Sequence, residues 1–458
     1  MRLFVFLLLF THLGVVSQNV TIKGSSVSPI KPVRIIVKED FVSGLEKVLA
    51  TSSTDFKGSF QISVEINKIE LAEIAIGLNR VPIILKPNAD YEVAITVTSE
   101  NQNSYFDPQP MVIEMKKTTD SGLQKHYETI NFVYNTFVIK YFNQIQRFGQ
   151  ARYLDSLQLA LSNALPKTID PFLQNYQFYK VSSLAPAIKK MTPQQIYAAF
   201  FKSRIIQYEN PEYMAMIDQY FGDYFTSGKK QIPFDDFVEA VNQGFVALKK
   251  MVLSDPLMTE SDQFRELVLL FHLNANYYNP AFYSGSISRV LQQIVTQSAY
   301  NQHKIIAENI LKKRAYLTPG TPSPLLKLFD SNGIVAHNMP LKSLVVALFV
   351  KNDCEVCKKE ILDFSGITEK FGTDINVLIV TTQDAYKETE NFLTSNKLTW
   401  QLFHTGDDML VYERYNIKVF PEYVLLFPDG RIAMTPAPPV SQNLEYHISR
   451  LIKQLKRE

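Results

Sequence analysis

At 458 residues the chain exceeds what one hydrophobic core holds, because cores stop growing near ~250 to 300 residues, and three domains are expected. Hydrophobic residues make up 46% and charged residues 20%, a balance that excludes a disordered polymer. The net charge of +2, with no basic stripe interleaved with aromatics, gives no electrostatic case for nucleic acid, and Lys453, Lys456 and Arg457 read as a solvated helix end.

The opening MRLFVFLLLFTHLGVVSQ carries one basic residue, Arg2, then an apolar run from Leu3 to Phe10 and small or polar residues near Ser17. This is the pattern of a secretory signal over residues 1–17, cleaved near Ser17 or Gln18. A membrane anchor is the weaker reading, since the run falls short of the ~20 apolar residues a span needs. No cysteine follows it to accept a lipid, and no other stretch reads as a span. A soluble mature protein in an oxidising compartment is expected.

Residues 18–116 read as strands. Phe60, Ile62, Val64 and Ile66 alternate with polar residues, as do Tyr91, Val93, Ile95 and Val97, so each strand buries one face. Asp55 to Gly58 and Lys86 to Asp90 supply turns. Val20 to Lys23, Val33 to Lys38 and Leu71 to Leu78 add strands, and a small antiparallel β-sandwich with a binding or spacer role is expected.

From 118 to 316 the period changes to an all-α pattern. Leu123, Tyr127, Ile130, Tyr134, Phe137, Tyr141 and Ile145 step by three and four, laying an aromatic stripe along one helix; such a stripe is usually core. Phe264, Leu267, Val268 and Phe271 repeat the spacing, and prolines from Pro166 to Pro280 divide the region into short helices. His272 and His303 read as packed or surface histidines rather than ligands.

Residues 317–458 follow a boundary at LTPGTPSP. Strands are expected at Leu325 to Phe329, Leu344 to Val350, Ile375 to Val380, Gln401 to Phe403, Tyr423 to Phe427 and Arg431 to Met434. Helices are expected from Cys354, around Tyr386 to Asn396, over Met409 to Tyr415, and after a Ser441 cap, with Leu444, Ile448, Leu451, Ile452 and Leu455 on one face. The alternation implies an α/β domain whose mixed sheet is covered on both faces.

Both cysteines of the chain, Cys354 and Cys357, fall where the strand ends and the helix begins. At this spacing they share a face and can close a small disulfide. The helix amino end favours a thiolate at Cys354, expected to be the more exposed of the two. Structural zinc needs four ligands, and the seven histidines (His12, His126, His272, His303, His337, His404, His447) show no paired spacing. Haem attachment fails because Lys358 stands where histidine is needed. Redox chemistry without a cofactor is the reading these residues favour.

Gly320 to Pro324, Cys354 and Cys357, the run Lys358, Lys359, Glu360, then Phe420 and Pro421, and Phe427 to Gly430, in that order and spacing, resemble the thioredoxin-fold domain of TlpA-like thiol:disulfide oxidoreductases. The stretches FRELVLLF and NQHKIIAENILKKRAYLTPG resemble the helical region ahead of that domain in multidomain bacterial envelope members. The resemblance implies a periplasmic or envelope location, client proteins bearing thiols or disulfides, and a membrane electron donor if the chain is a reductase. It implies that Cys354 attacks the substrate disulfide and Cys357 resolves the mixed disulfide. Pro421 matches a cis-proline that presents the Phe420 backbone to the substrate. Glu360 matches an acid assisting proton transfer, and reads equally as an exposed helix carboxylate.

Three positions depart from the family: Asp353 where tryptophan is usual, Val356 for a frequent proline, and Leu348 where thioredoxin keeps a buried aspartate. Asp353 and Glu355 flank the nucleophile with negative charge, opposing the helix dipole. A reductase or isomerase is therefore expected rather than an oxidant. Two alternatives stay open: a binding protein with a redox-silent scaffold, and a redox-sensing adaptor.

Overall fold

The computed structural model describes residues 18–26, 31–97, 111–225, 232–283, 285–333, 335–336, 343–351, 353–406 and 410–457. The signal expected over residues 1–17, and Met409, His12 and His337, lie outside them. The described residues form two compact units. The first holds those up to Asn309 other than Gly77–Asn79, and the second holds Gly77–Asn79 and the chain from Ile310 onward. No helix among the described residues is long and apolar enough to cross a membrane.

The first unit opens with eight strands: β1 Gln18–Ser26, β2 Pro32–Lys38, β3 Glu46–Ser53, β4 Ser59–Ile66, β5 Glu70–Ile76, β6 Asn79–Leu85, β7 Asp90–Val97 and β8 Met111–Thr118. They make two four-stranded sheets, β4-β1-β7-β8 and β3-β2-β5-β6. The alternating residues Phe60, Ile62, Val64 and Tyr91, Val93, Ile95 turn inward and meet Val33, Ile35, Ile74 and Ile83 in one core. The sandwich is not purely antiparallel, as expected from sequence, because β1 pairs β7 in parallel from Thr21↔Asp90 to Ser26↔Ile95. Parallel neighbours require a crossover, and the second sheet, lying between them in sequence, supplies it. Strand β3 gave little signal because most of its residues are exposed at a sheet edge.

Helices follow, and several start the same way. Asp170–Pro171, Thr192–Pro193, Asn210–Pro211 and Asp255–Pro256 each place an oxygen-bearing cap before a proline at the first helical position. The cap side chain accepts an otherwise unpaired N–H, and proline has none to lose there. The aromatic stripe is core, with Tyr127 against Tyr176 and Tyr141 against Tyr153 at ring centroid distances of 5.4 and 4.8 Å. Its helix, Leu123–Lys140, stops short of Tyr141, and Ile145 is carried on a wider π-type turn, Asn143–Arg147. His272 and His303 are both fully buried. His303 Nδ1 pairs with Glu266 at 2.9 Å, its Nε2 meets the Tyr208 hydroxyl at 2.7 Å, and Ser298 Oγ donates to the same Glu266 oxygen.

The second unit is built on a mixed sheet of seven strands in the order β10-β9-β13-β12-β11-β14-β15. These are β9 Leu328–Phe329, β10 Val335–Ala336, β11 Leu344–Phe349, β12 Ile375–Thr381, β13 Gln401–His404, β14 Glu422–Leu426 and β15 Ile432–Ala437. Strands β11, β12 and β13 run parallel, whereas β14 is antiparallel to β11. Every residue of β11 is buried: Leu344, Val346 and Leu348 face one core with the Glu355–Phe371 and Leu444–Leu455 helices, while Val345, Ala347 and Phe349 face another with the Leu410–Arg414 helix. Burial on both faces is why this strand reads as a continuous apolar run, each large side chain contributing about 1.5 to 3 kcal/mol.

Two details of this unit differ from expectation. The last helix is entered through Asn443 in a left-handed conformation, with no side-chain cap, and Ser441 lies in a preceding 3-10 turn, Val440–Gln442. The proline-rich boundary stretch is not a loose connector. Gly320 N–H donates to Ile432 O at 2.7 Å, Ile432 N–H to Thr321 O at 2.8 Å, and Ser323 N–H to Gly430 O at 3.0 Å, so it lies along β15. Gly430 holds φ +83° in the turn there, a left-handed conformation in which other residues are strained.

Candidate functional site

Cys354 is the N-cap of the Glu355–Phe371 helix, and its Sγ accepts the Cys357 N–H at 3.0 Å. A disulfide joins Cys354 and Cys357. Both are buried, Cys354 at 8% exposure and Cys357 at 2%, which keeps the order expected for an outer and an inner sulfur. A left-handed residue, Asp353 at φ +50°, turns the chain from β11 into this cap. The helix end directs partial positive charge at Cys354.

The negative charge expected to oppose that field is partly neutralised. Glu355 is 86% exposed and paired with Lys358 Nζ at 3.0 Å, and the same ammonium meets Glu388 at 3.2 Å. Lys358 and Glu388 line a small pocket beside the sulfurs, with Val350, Ile361, Thr389 and Phe392, of about 20 Å³. That is room for a single water.

The Phe420–Pro421 bond is cis. Strand register puts Glu422 across from Phe349, so Pro421 and Phe420 come to the same end of the sheet at which β11 runs on toward Cys354. Phe420 is half-buried with its ring 5.6 Å from that of Tyr412. Val356 and Val419 stay exposed, at 65% and 62%.

Glu360 is not an exposed helix carboxylate. It is 7% exposed and accepts the Val440 N–H at 2.7 Å. One turn beyond Cys357, it lies on the buried side of the helix because Cys357, Ile361 and Phe364 do.

Two groups at this end of the sheet escaped the sequence reading. Burial pushes the Glu422 carboxyl up, with partial relief from the N–H of Lys418. Tyr423 is 1% exposed, and burial, followed by the adjacent Glu360 carboxylate, pushes its phenol up. In sequence Tyr423 is one more aromatic opening a strand, with nothing to set it apart from packing.

Solved structures similar to this chain include a candidate thiol-disulfide oxidoreductase from Bacteroides vulgatus, 25% identical, matching 31% of this chain and 98% of its own at a TM-score of 0.27. A thiol:disulfide interchange protein from a Bacteroides species is 20% identical, with 30% and 92% covered and a TM-score of 0.27. A thioredoxin-like protein from Bacteroides caccae is 14% identical, with 52% and 93% covered and a TM-score of 0.30. At these scores the likenesses carry no argument about what the chain does. Neither a protein-family profile nor a curated protein matches the chain.

Proposed function

We propose that the chain is a thiol-disulfide oxidoreductase of the bacterial cell envelope, of TlpA-like type, that reduces or isomerises protein disulfides. In this reading residues 1–17 are a secretory signal, 18–116 a sandwich domain, 118–316 a helical domain and 317–458 a thioredoxin-like domain carrying the reaction. The observation that supports it best is the placement of Cys354 as a helix cap, with the Cys357 N–H aimed at its Sγ. A sulfur so placed is stabilised as the thiolate, the species that attacks disulfides.

The reaction runs through two exchanges. The Cys354 thiolate attacks one sulfur of the client disulfide, forming a mixed disulfide and expelling a client thiolate, which takes a proton from solvent. Glu360 accepts the Cys357 proton, and the Cys357 thiolate attacks Cys354 Sγ. The second client thiolate leaves and takes the proton held by Glu360, and the Cys354–Cys357 disulfide stores the oxidation. Two electrons pass from the dithiol to the client, and a membrane dithiol donor returns them by the same exchange in reverse. The cis Phe420–Pro421 segment offers its backbone to the client chain. Among the flanking charges, Glu355 is offset by Lys358, which weakens its opposition to the helix dipole.

A full-length Cys357→Ser chain mixed with a disulfide-bonded protein tests this reading. A mixed disulfide through Cys354 should accumulate, and Cys354→Ser should form none. Equal trapping by both variants, or by neither, contradicts it.

A further inference from the structure

Tyr423 lies directly across from Leu348 in the β14–β11 register, and both side chains belong to the core that holds Cys357 and Phe364. Its ring packs against Phe364 with centroids 5.4 Å apart. Phe364 and Glu360 are one turn apart on the same helix face. The phenol thus reaches the carboxylate from the sheet side, while the Val440 N–H reaches it from the turn before the last helix.

The Tyr423 hydroxyl is buried and makes no hydrogen bond of good geometry among the described residues, while the Glu360 carboxylate stands beside it and acts on it as an acceptor. Buried hydroxyls are ordinarily paired, and an unpaired one beside a reacting group calls for a chemical reason. The carboxylate beside it is the acceptor that would satisfy it.

We propose that Tyr423 is a positioning residue for thiol-disulfide exchange: in the reduced protein its hydroxyl donates to the Glu360 carboxylate and holds it ionised, ready to take the Cys357 proton. This rests on the dithiol reading above and extends it to a residue outside the Cys-x-x-Cys motif. A carboxylate drawn out of water loses hydration, and a neutral donor aimed at it restores the charged form. The phenol can serve because burial and the neighbouring carboxylate keep it protonated. The other groups around the pair are Asp363, which also acts on Tyr423, and Lys359, bound to Asp363 and influenced by Glu360. Neither is a donor buried beside the carboxylate, since both stand exposed on the helix.

The full chain and its Tyr423→Phe, Glu360→Gln and doubly substituted forms distinguish the outcomes. In the reduced chain's reaction with oxidised glutathione, Tyr423→Phe should move the low-pH limb of the rate profile upward, slowing the reaction on that limb by about tenfold. Glu360→Gln should remove the limb, and adding Tyr423→Phe to it should change nothing further. Carbon NMR of the Glu360 carboxyl should show its titration moving upward in Tyr423→Phe, only when the cysteines are reduced. A uniform rate change at all pH values, or a carboxyl titration unmoved in the reduced form, overturns the proposal. If the wild-type chain does not react with oxidised glutathione at any pH, the oxidoreductase reading falls, and the carboxyl titration still decides the Tyr423 pairing.

Discussion

Glu360 Oε1 accepts the backbone N–H of Val440 at 2.7 Å, tying the helix that carries the cysteines to the turn that enters the last helix. One carboxylate therefore has a structural duty toward Val440 and, in the proposed reaction, a chemical one toward Cys357. Substitutions separate them. Glu360→Ala leaves the Val440 N–H unpaired and should cost about 1 to 3 kcal/mol of stability. Glu360→Gln keeps an acceptor oxygen and should melt near the wild type while resolving mixed disulfides more slowly. Urea denaturation and quenched-exchange kinetics on the two variants check this.

The Glu266–His303 pair predicts an acid-sensitive step in the first unit. Burial raises the Glu266 carboxyl, but hydrogen bonds from His303 and Ser298, with the His303 charge, outweigh it and leave the group below its ordinary value of 4.5. The folded chain thus binds this proton less readily than the unfolded chain. The stabilisation is fully present above 4.5 and is lost as pH falls through the lower folded value. Urea midpoints from pH 6 downward should decline below about pH 4.5, and the decline should be shallower in Glu266→Gln.

Lys358 joins Glu355 and Glu388 beside Cys354. Lys358→Met uncovers the Glu355 charge, disfavours the Cys354 thiolate and should lower the redox potential. Glu355→Gln should raise it. Because these groups are exposed and screened, each shift should be under about 30 mV and shrink in high salt. Equilibration with glutathione buffers at two ionic strengths measures both.

Period and punctuation make much of this chain legible in its sequence. Strand β11 is a bare apolar run because both faces are buried, and the sandwich strands β4 and β7 alternate because one is. Cys354 and Cys357 sit where a strand-to-helix change places them, and Pro421 falls at the same end of the sheet by register. Long-range pairing is not written in local pattern. The parallel β1–β7 contact depends on a distant crossover, and the burial of Glu360 depends on Val440, eighty positions away. Tyr423 was invisible for a related reason: its meaning comes from Leu348 and Glu360, neither of them near it in sequence. Ser441 misled because it is a good cap by type, yet the chain enters the helix through Asn443.

The most direct test of the central claim is the equilibrium potential of the Cys354–Cys357 pair in the full-length chain, read by trapping free thiols across graded glutathione buffers. A dithiol reductase or isomerase requires a pair that cycles reversibly with a potential near or below roughly −200 mV. A value near about −120 mV would mark an oxidant, and a pair that does not cycle at all would contradict the proposed activity.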